Sequence, residues 1–115
     1  MIAVIFELEP RPGMAARYFE LAAQLRPLLD GIDGFVSVER FESVTRPGRY
    51  VSISFWRDEE AVRAWRTQDR HRAGQREGRD GILADYRLRV AAVVRDYGMH
   101  ERREAPNDSN ACLPL

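Results

Sequence analysis

Apolar and polar residues alternate or recur along this chain in a way that assigns most of its elements. Ile2, Val4, Phe6 and Leu8 alternate with Ala3, Ile5 and Glu7, the two-residue period of a strand. Pro10, Arg11, Pro12 and Gly13 break it. Met14, Tyr18, Leu21, Leu25 and Leu28 then recur at spacings of three and four, which predicts an amphipathic helix. Pro27 should loosen its last turn, and Gly31 and Gly34 end it. Residues 35–44 read as a second strand, Arg46-Pro47-Gly48 as a turn, and residues 49–56 as a third strand in a hairpin with the second. Asp58 suits a helix start, and Glu59 and Glu60 suit its first turn, where carboxylates favour the helix dipole. Ala61, Val62 and Trp65 follow on one face of that helix. A further helical piece is expected over residues 69–76, ending near Gly78. Residues 86–97 form a long last strand. Tyr86, Leu88, Val90, Ala92 and Val94 face one way, and Arg87, Arg89, Ala91, Val93 and Arg95 the other. One apolar face and one half-apolar face predict cover on both sides near its end, the second cover supplied by another subunit.

The order βαββαβ predicts an α+β domain: a ferredoxin-like, four-stranded antiparallel sheet with both helices on one face. At 115 residues the chain fits one domain. A core this small gains from an association surface. Residues 99–115 are mostly polar and read alone as a disordered tail, with Leu113 and Leu115 as its anchors if it rests on a surface. The expected division is therefore a domain over 1–98 and a tail over 99–115.

Charge excludes some partners. Lysine plus arginine and aspartate plus glutamate number 18 each, so no bulk attraction to nucleic acid or membrane is implied. No apolar run approaches a membrane span. Met1-Ile2-Ala3-Val4-Ile5-Phe6 runs straight into Glu7 without a basic leader, which reads as a strand rather than a signal peptide. A cytoplasmic location is expected. Cys112 is the single cysteine, so neither an internal disulfide nor a multi-cysteine metal site can form. Every basic residue is an arginine. Arg63, Arg66, Arg70, Arg72, Arg76 and Arg79 cluster against only Asp69 and Glu77. That cluster suits an anionic ligand; a solvated helix face is the simpler explanation.

The segment S-F-W-x-D-E-E-A-x-x-A-W-R, residues 54–66, followed by His71 and Arg72, resembles the antibiotic biosynthesis monooxygenase family. Those proteins are small dimeric α+β barrels, related to the haem-degrading monooxygenases. The resemblance spans about residues 1–98. It implies a homodimer in which two sheets pack across a dyad. It also implies a pocket between helix and sheet, lined by Trp65, with Trp56 beside it at the strand end. Trp65 would hold a planar aromatic ring; a helical aromatic facing a sheet is as readily plain core. His71 would be a general base, its pKa suited to neutral pH, or else a surface histidine flanked by Arg70 and Arg72. In the cofactor-free branch an arginine of the last strand contributes, a place that Arg87 or Arg89 fills here. The polar amide one turn before the tryptophan is Ala61 here.

Haem degradation asks for more. In that branch a histidine follows the helical tryptophan by ten residues, and an asparagine lies on the first strand. This chain has Gln75 at that offset, and Phe6 and Glu7 on the strand. The expectation is accordingly a cofactor-independent monooxygenase, with no resident metal, acting with O2 on a small planar aromatic or polyketide-like compound. Haem binding is the first alternative. A dimeric ligand-binding or stress protein without catalysis is the second. No phosphate-binding glycine loop, zinc constellation or nucleophile elbow is present.

Overall fold

The computed structural model describes residues 1–68 and 81–111. The elements run β1 (Ile2–Pro10), α1 (Ala15–Asp30), β2 (Phe35–Glu42), β3 (Tyr50–Trp56), α2 (Glu59–Arg66), β4 (Leu83–Ala92) and α3 (Asn107–Ala111). The four strands form one antiparallel sheet in the order β2-β3-β1-β4. This is the ferredoxin-like α+β arrangement that the alternation predicts. The expected helical piece over residues 69–76 lies outside the described residues.

Register divides the sheet into two chemically different faces. Rows of paired residues run Ala92–Ile2–Trp56–Phe35, Val90–Val4–Ser54–Val38 and Leu88–Phe6–Ser52–Arg40 across the first face. Leu29 of α1 and Ala61, Val62 and Trp65 of α2 pack there around Trp56, joined by Ile2, Val4, Phe35 and Val38. Both helices therefore cover the same face. The rows Ala91–Ala3–Phe55–Ser37, Arg89–Ile5–Ile53–Glu39 and Arg87–Glu7–Val51–Phe41 make up the other. The core formed with α1 and α2 includes none of these rows.

Strand ends depart from the sequence reading for local reasons. Strand β4 begins earlier than expected, at Leu83, and stops at Ala92 rather than near Tyr97. Its partner runs out there: Ala92 pairs with Ile2, and one last bond joins the Val93 N–H to the Met1 carbonyl at 2.9 Å. Tyr86, Leu88 and Val90 are 48%, 47% and 45% exposed, so the cover predicted for both sides of β4 is not supplied within one subunit. Strand β2 ends at Glu42, because the chain turns. Ser43 and Arg49 close the hairpin at 2.8 Å, and Gly48 takes the positive φ of 89° that the turn needs. Pro27 does not shorten α1, which runs on to Asp30.

Residues 97–110 are held together by Arg102. Arg102 lies over the Tyr97 ring, donates to the Gly98 and Ser109 carbonyls, and donates to Asn110 Oδ1. The short helix α3 follows Pro106. Leu113 and Leu115 lie outside the described residues. Among the described residues no helix is long and apolar enough to cross a membrane.

Candidate functional site

Helix α2 is set down on the sheet by its first residue. Asp58, in extended conformation, accepts the Ala61 N–H on its Oδ1 at 2.9 Å, the bond that satisfies one orphan donor of a helix start. Arg57 ties this cap to the α1–β2 connection. Its Nη1 and Nη2 donate to the two carboxylate oxygens of Asp33 at 3.1 and 3.2 Å, and its Nε donates to Asp58 Oδ2 at 3.2 Å. The Ala61 N–H and then the Arg57 guanidinium hold the Asp58 carboxyl below its usual range. Gly34 lets the two segments meet. Its φ is +91°, its carbonyl accepts the Arg57 N–H at 2.7 Å, and a Cβ there would lie 2.8 Å from the Ala61 Cβ.

The two tryptophans sit in one core. Trp56 is 2% exposed, meets Phe35 edge-on at 5.2 Å, and donates its indole N–H to Ser54 Oγ at 2.9 Å. It is a satisfied core residue. Trp65 is 8% exposed and belongs to the same cluster.

Beside this core, a cleft of about 320 Å³ runs between α2 and β4. Glu59, Glu60, Val62, Arg63, Arg66 and Val90 line it. Val62 connects cleft and core: it faces both, with Trp65 one helical turn further on. Val90 forms the opposing wall, paired to Val4 in the sheet. Such a volume lies at the small end of the about 300–1,000 Å³ usual for small-molecule sites. Four of its six lining residues are charged, and Val62 and Val90 are its apolar ones, so it suits a compact molecule with a small apolar body and a polar or charged end.

The residues expected from sequence to act together are divided by the register. Arg87 and Arg89 pair with Glu7 and Ile5, on the face opposite Trp65 and Val62. Arg89 Nη1 donates to Glu7 Oε1 at 3.0 Å. Within one subunit the sheet itself separates these arginines from the tryptophans. His71 and Gln75 lie outside the described residues. His100, the histidine among those described, stands exposed in the C-terminal segment. Among the described residues no group of three potential ligands gathers to hold a metal ion.

Two features were not singled out from sequence. Val90 becomes a cleft residue only through the β1–β4 register. Gln68, just past α2, carries a buried side-chain oxygen that accepts no hydrogen bond among the described residues. Neither leaves a signal in composition or spacing.

Comparison with known proteins agrees with this architecture. The sequence profile of the antibiotic biosynthesis monooxygenase family matches residues 1–77. A Pyricularia oryzae protein named jasmonate monooxygenase ABM is 49% identical over 94 residues, which cover 82% of this chain and 44% of that protein. This chain thus spans less than half the length of that relative. YqjZ of Bacillus subtilis is 32% identical over 78 residues, 68% of this chain and 67% of that one. Among solved structures, Rv0793 from Mycobacterium tuberculosis superposes with a TM-score of 0.74 at 20% identity, covering 84% of this chain and 98% of its own, a likeness of fold.

Proposed function

The chain belongs to the antibiotic biosynthesis monooxygenase family, and from that premise we propose that it is a monooxygenase acting on a small, mostly apolar organic compound. The observation that carries this reading is the 49% identity, over 82% of the chain, to a protein named for jasmonate oxidation. Jasmonate is therefore one candidate substrate, and a planar phenol or polyketide-like compound the other. The α2–β4 cleft, backed by the core that holds Trp65, is the proposed binding place.

The proposed chemistry needs no resident cofactor when the substrate ionises to a stabilised carbanion. That carbanion gives an electron to O2, and the resulting pair recombines. A CH2 group becomes C=O, one oxygen atom enters the product, and the other leaves as water. The substrate supplies all four electrons. The protein's part is to hold the ring, exclude water and stabilise the anion. His71 is the proposed base. Trp65 is proposed to position the ring from behind Val62. Trp56 fixes that wall rather than touching substrate.

The same reading includes a homodimer in the cytoplasm. Ile5, Phe41, Val51, Ile53 and Phe55 form an apolar sheet face, with Arg87 and Arg89 at its β4 side. A second copy of that face is its proposed partner, which would place these arginines between the sheets.

Oxygen uptake tests the activity. Chelator-treated protein is mixed with jasmonate or with an anthrone, in the absence of added reductant. Uptake above background with one of them, giving a product 14 Da heavier for CH2 to C=O, is expected. Uptake that appears only after a metal, haem or flavin is added refutes cofactor independence. No uptake under any of these conditions refutes the monooxygenase reading.

A further inference from the structure

We propose that Arg63 and Arg66 form a carboxylate-recognition pair at one end of the α2–β4 cleft, so that the molecule it takes is a small apolar organic acid with its anionic end toward those arginines. This rests on the binding place proposed above and adds the substrate's charge and direction.

Three observations converge. First, Arg63 and Arg66 stand three residues apart, so they are neighbours on one flank of the helix, and both line the cleft. Second, neither guanidinium has a carboxylate within ion-pair distance among the described residues, whereas Arg26, Arg57 and Arg89 each have one. Third, the charge of the rim changes sign along the helix. Glu59 and Glu60 occupy the first turn and Arg63 and Arg66 the last. At a rise of about 1.5 Å per residue, Glu59 and Arg66 are about 10 Å apart along the axis and Glu60 and Arg63 about 4.5 Å, a span that a small organic acid can bridge.

The direction follows from this polarity. An anion at the Glu59 end meets two carboxylates. At the Arg66 end it meets two unpaired planar forks, whose geometry matches a carboxylate bidentately. The helix dipole does not help there, because the C-terminal end is its negative pole. Recognition therefore depends on the side chains and disappears with them. Val62 and Val90 receive the apolar body and add no preference between an acid and its ester.

Jasmonate and its methyl ester share one body and differ by that charge, so the pair is the probe. Binding of each is measured by calorimetry on the full chain, for wild type, R63Q/R66Q and R63K/R66K, with circular dichroism to verify folding. The expected result is an acid about 10-fold tighter than the ester at low salt, with the ratio falling as salt rises because both arginines are exposed. R63Q/R66Q should bring the ratio to about one by weakening the acid far more than the ester, and R63K/R66K should retain part of the preference. The proposal is overturned if the acid binds no better than the ester, if the glutamine pair keeps the wild-type ratio, or if neither compound binds. Oxygen uptake is read separately. An arginine-dependent preference without uptake sinks the monooxygenase reading and keeps the recognition pair; uptake with an arginine-independent preference does the reverse.

Discussion

Replacing Gly34 with alanine tests whether the contact between the α1–β2 connection and α2 sets the position of the cleft. Two penalties combine. The backbone sits at φ +91°, where a Cβ costs about 1–2 kcal/mol. The new methyl also lands 2.8 Å from the Ala61 Cβ and 3.3 Å from the Arg57 Cβ. The two methyl carbons must part by about 0.6 Å (3.4 − 2.8) to reach ordinary contact. Ala61 cannot swing away, because its carbon is fixed to the first turn of a capped helix. Overpacking of this kind costs about 1–3 kcal/mol. The alanine's stiffer unfolded chain returns about 0.4–1 kcal/mol. Gly34→Ala should thus destabilise by roughly 2–4 kcal/mol, or about 8–16 °C in Tm for a domain of this length.

The assay is urea unfolding followed by tryptophan fluorescence at one fixed protein concentration, since association would shift apparent stability. A second variant separates clash from backbone strain. Ala61→Gly removes the atom being struck, at its own cost of about 1–2 kcal/mol for helix propensity and a lost buried methyl. In the double variant the clash is gone and the strain remains. The two changes should couple favourably by about 1 kcal/mol or more. A Gly34→Ala protein within about 0.5 kcal/mol of wild type would refute the reasoning. So would strict additivity in the double variant, which would leave strain alone as the cause.

Other outcomes follow from the same contacts. Ser54→Ala strands the buried Trp56 indole N–H and should cost about 1–3 kcal/mol; adding Trp56→Phe should recover part of that loss, and a cycle without coupling would show the bond to be idle. The Asp58 carboxyl is held down by the Ala61 N–H and the Arg57 guanidinium. Its contribution is complete above the ordinary aspartate range and is lost as pH falls through its lowered folded value. The Tm margin of wild type over Asp58→Asn should therefore shrink between about pH 6 and pH 3, and a constant margin would contradict this. Asp30→Asn breaks an exposed pair with Arg26 on α1 and should change stability by less than about 1 kcal/mol, as checked by the same unfolding curves. Ile53→Glu, in the middle of the sheet face proposed for a second subunit, should convert a dimer to a monomer in sedimentation velocity; an unchanged sedimentation coefficient would move the interface elsewhere.

The elements were legible where one residue pattern sufficed. The alternation of Ile2 to Leu8 and of Val51 to Phe55, and the acid-rich start of α2, each specify local geometry without help from distant residues. The ends of β2 and β4 were not legible, because they depend on a partner. Strand β4 stops when β1 runs out at Ile2, although Val93 and Val94 would suit a strand as well as Ala91 and Ala92 do. The contacts of the segment after Gly98 were not legible for a related reason. Its order comes from one arginine, Arg102, satisfying two carbonyls and an amide oxygen, and no periodicity announces such a hub.

The candidate site turns on a single unit of register. A strand's side chains alternate faces, so a shift of one residue between β1 and β4 would carry Arg87 and Arg89 to the helix side and Val90 to the other. Sequence alone leaves that choice open, and the family resemblance, not the register, joined those arginines to Trp65. The observed pairing of Val90 with Val4 settles it the other way. It places a valine opposite α2 and sends both β4 arginines to the face proposed for a second subunit. A basic group for an anionic substrate must then come from another element facing the cleft. In the proposed reading helix α2 supplies it, its capped start at Asp58 setting the face that buries Val62 and Trp65. The same rotation sets Arg63 and Arg66 along the cleft rim. Any change that turns α2 about its axis should therefore disturb core packing and charge recognition together. A change confined to the arginine tips should disturb recognition alone.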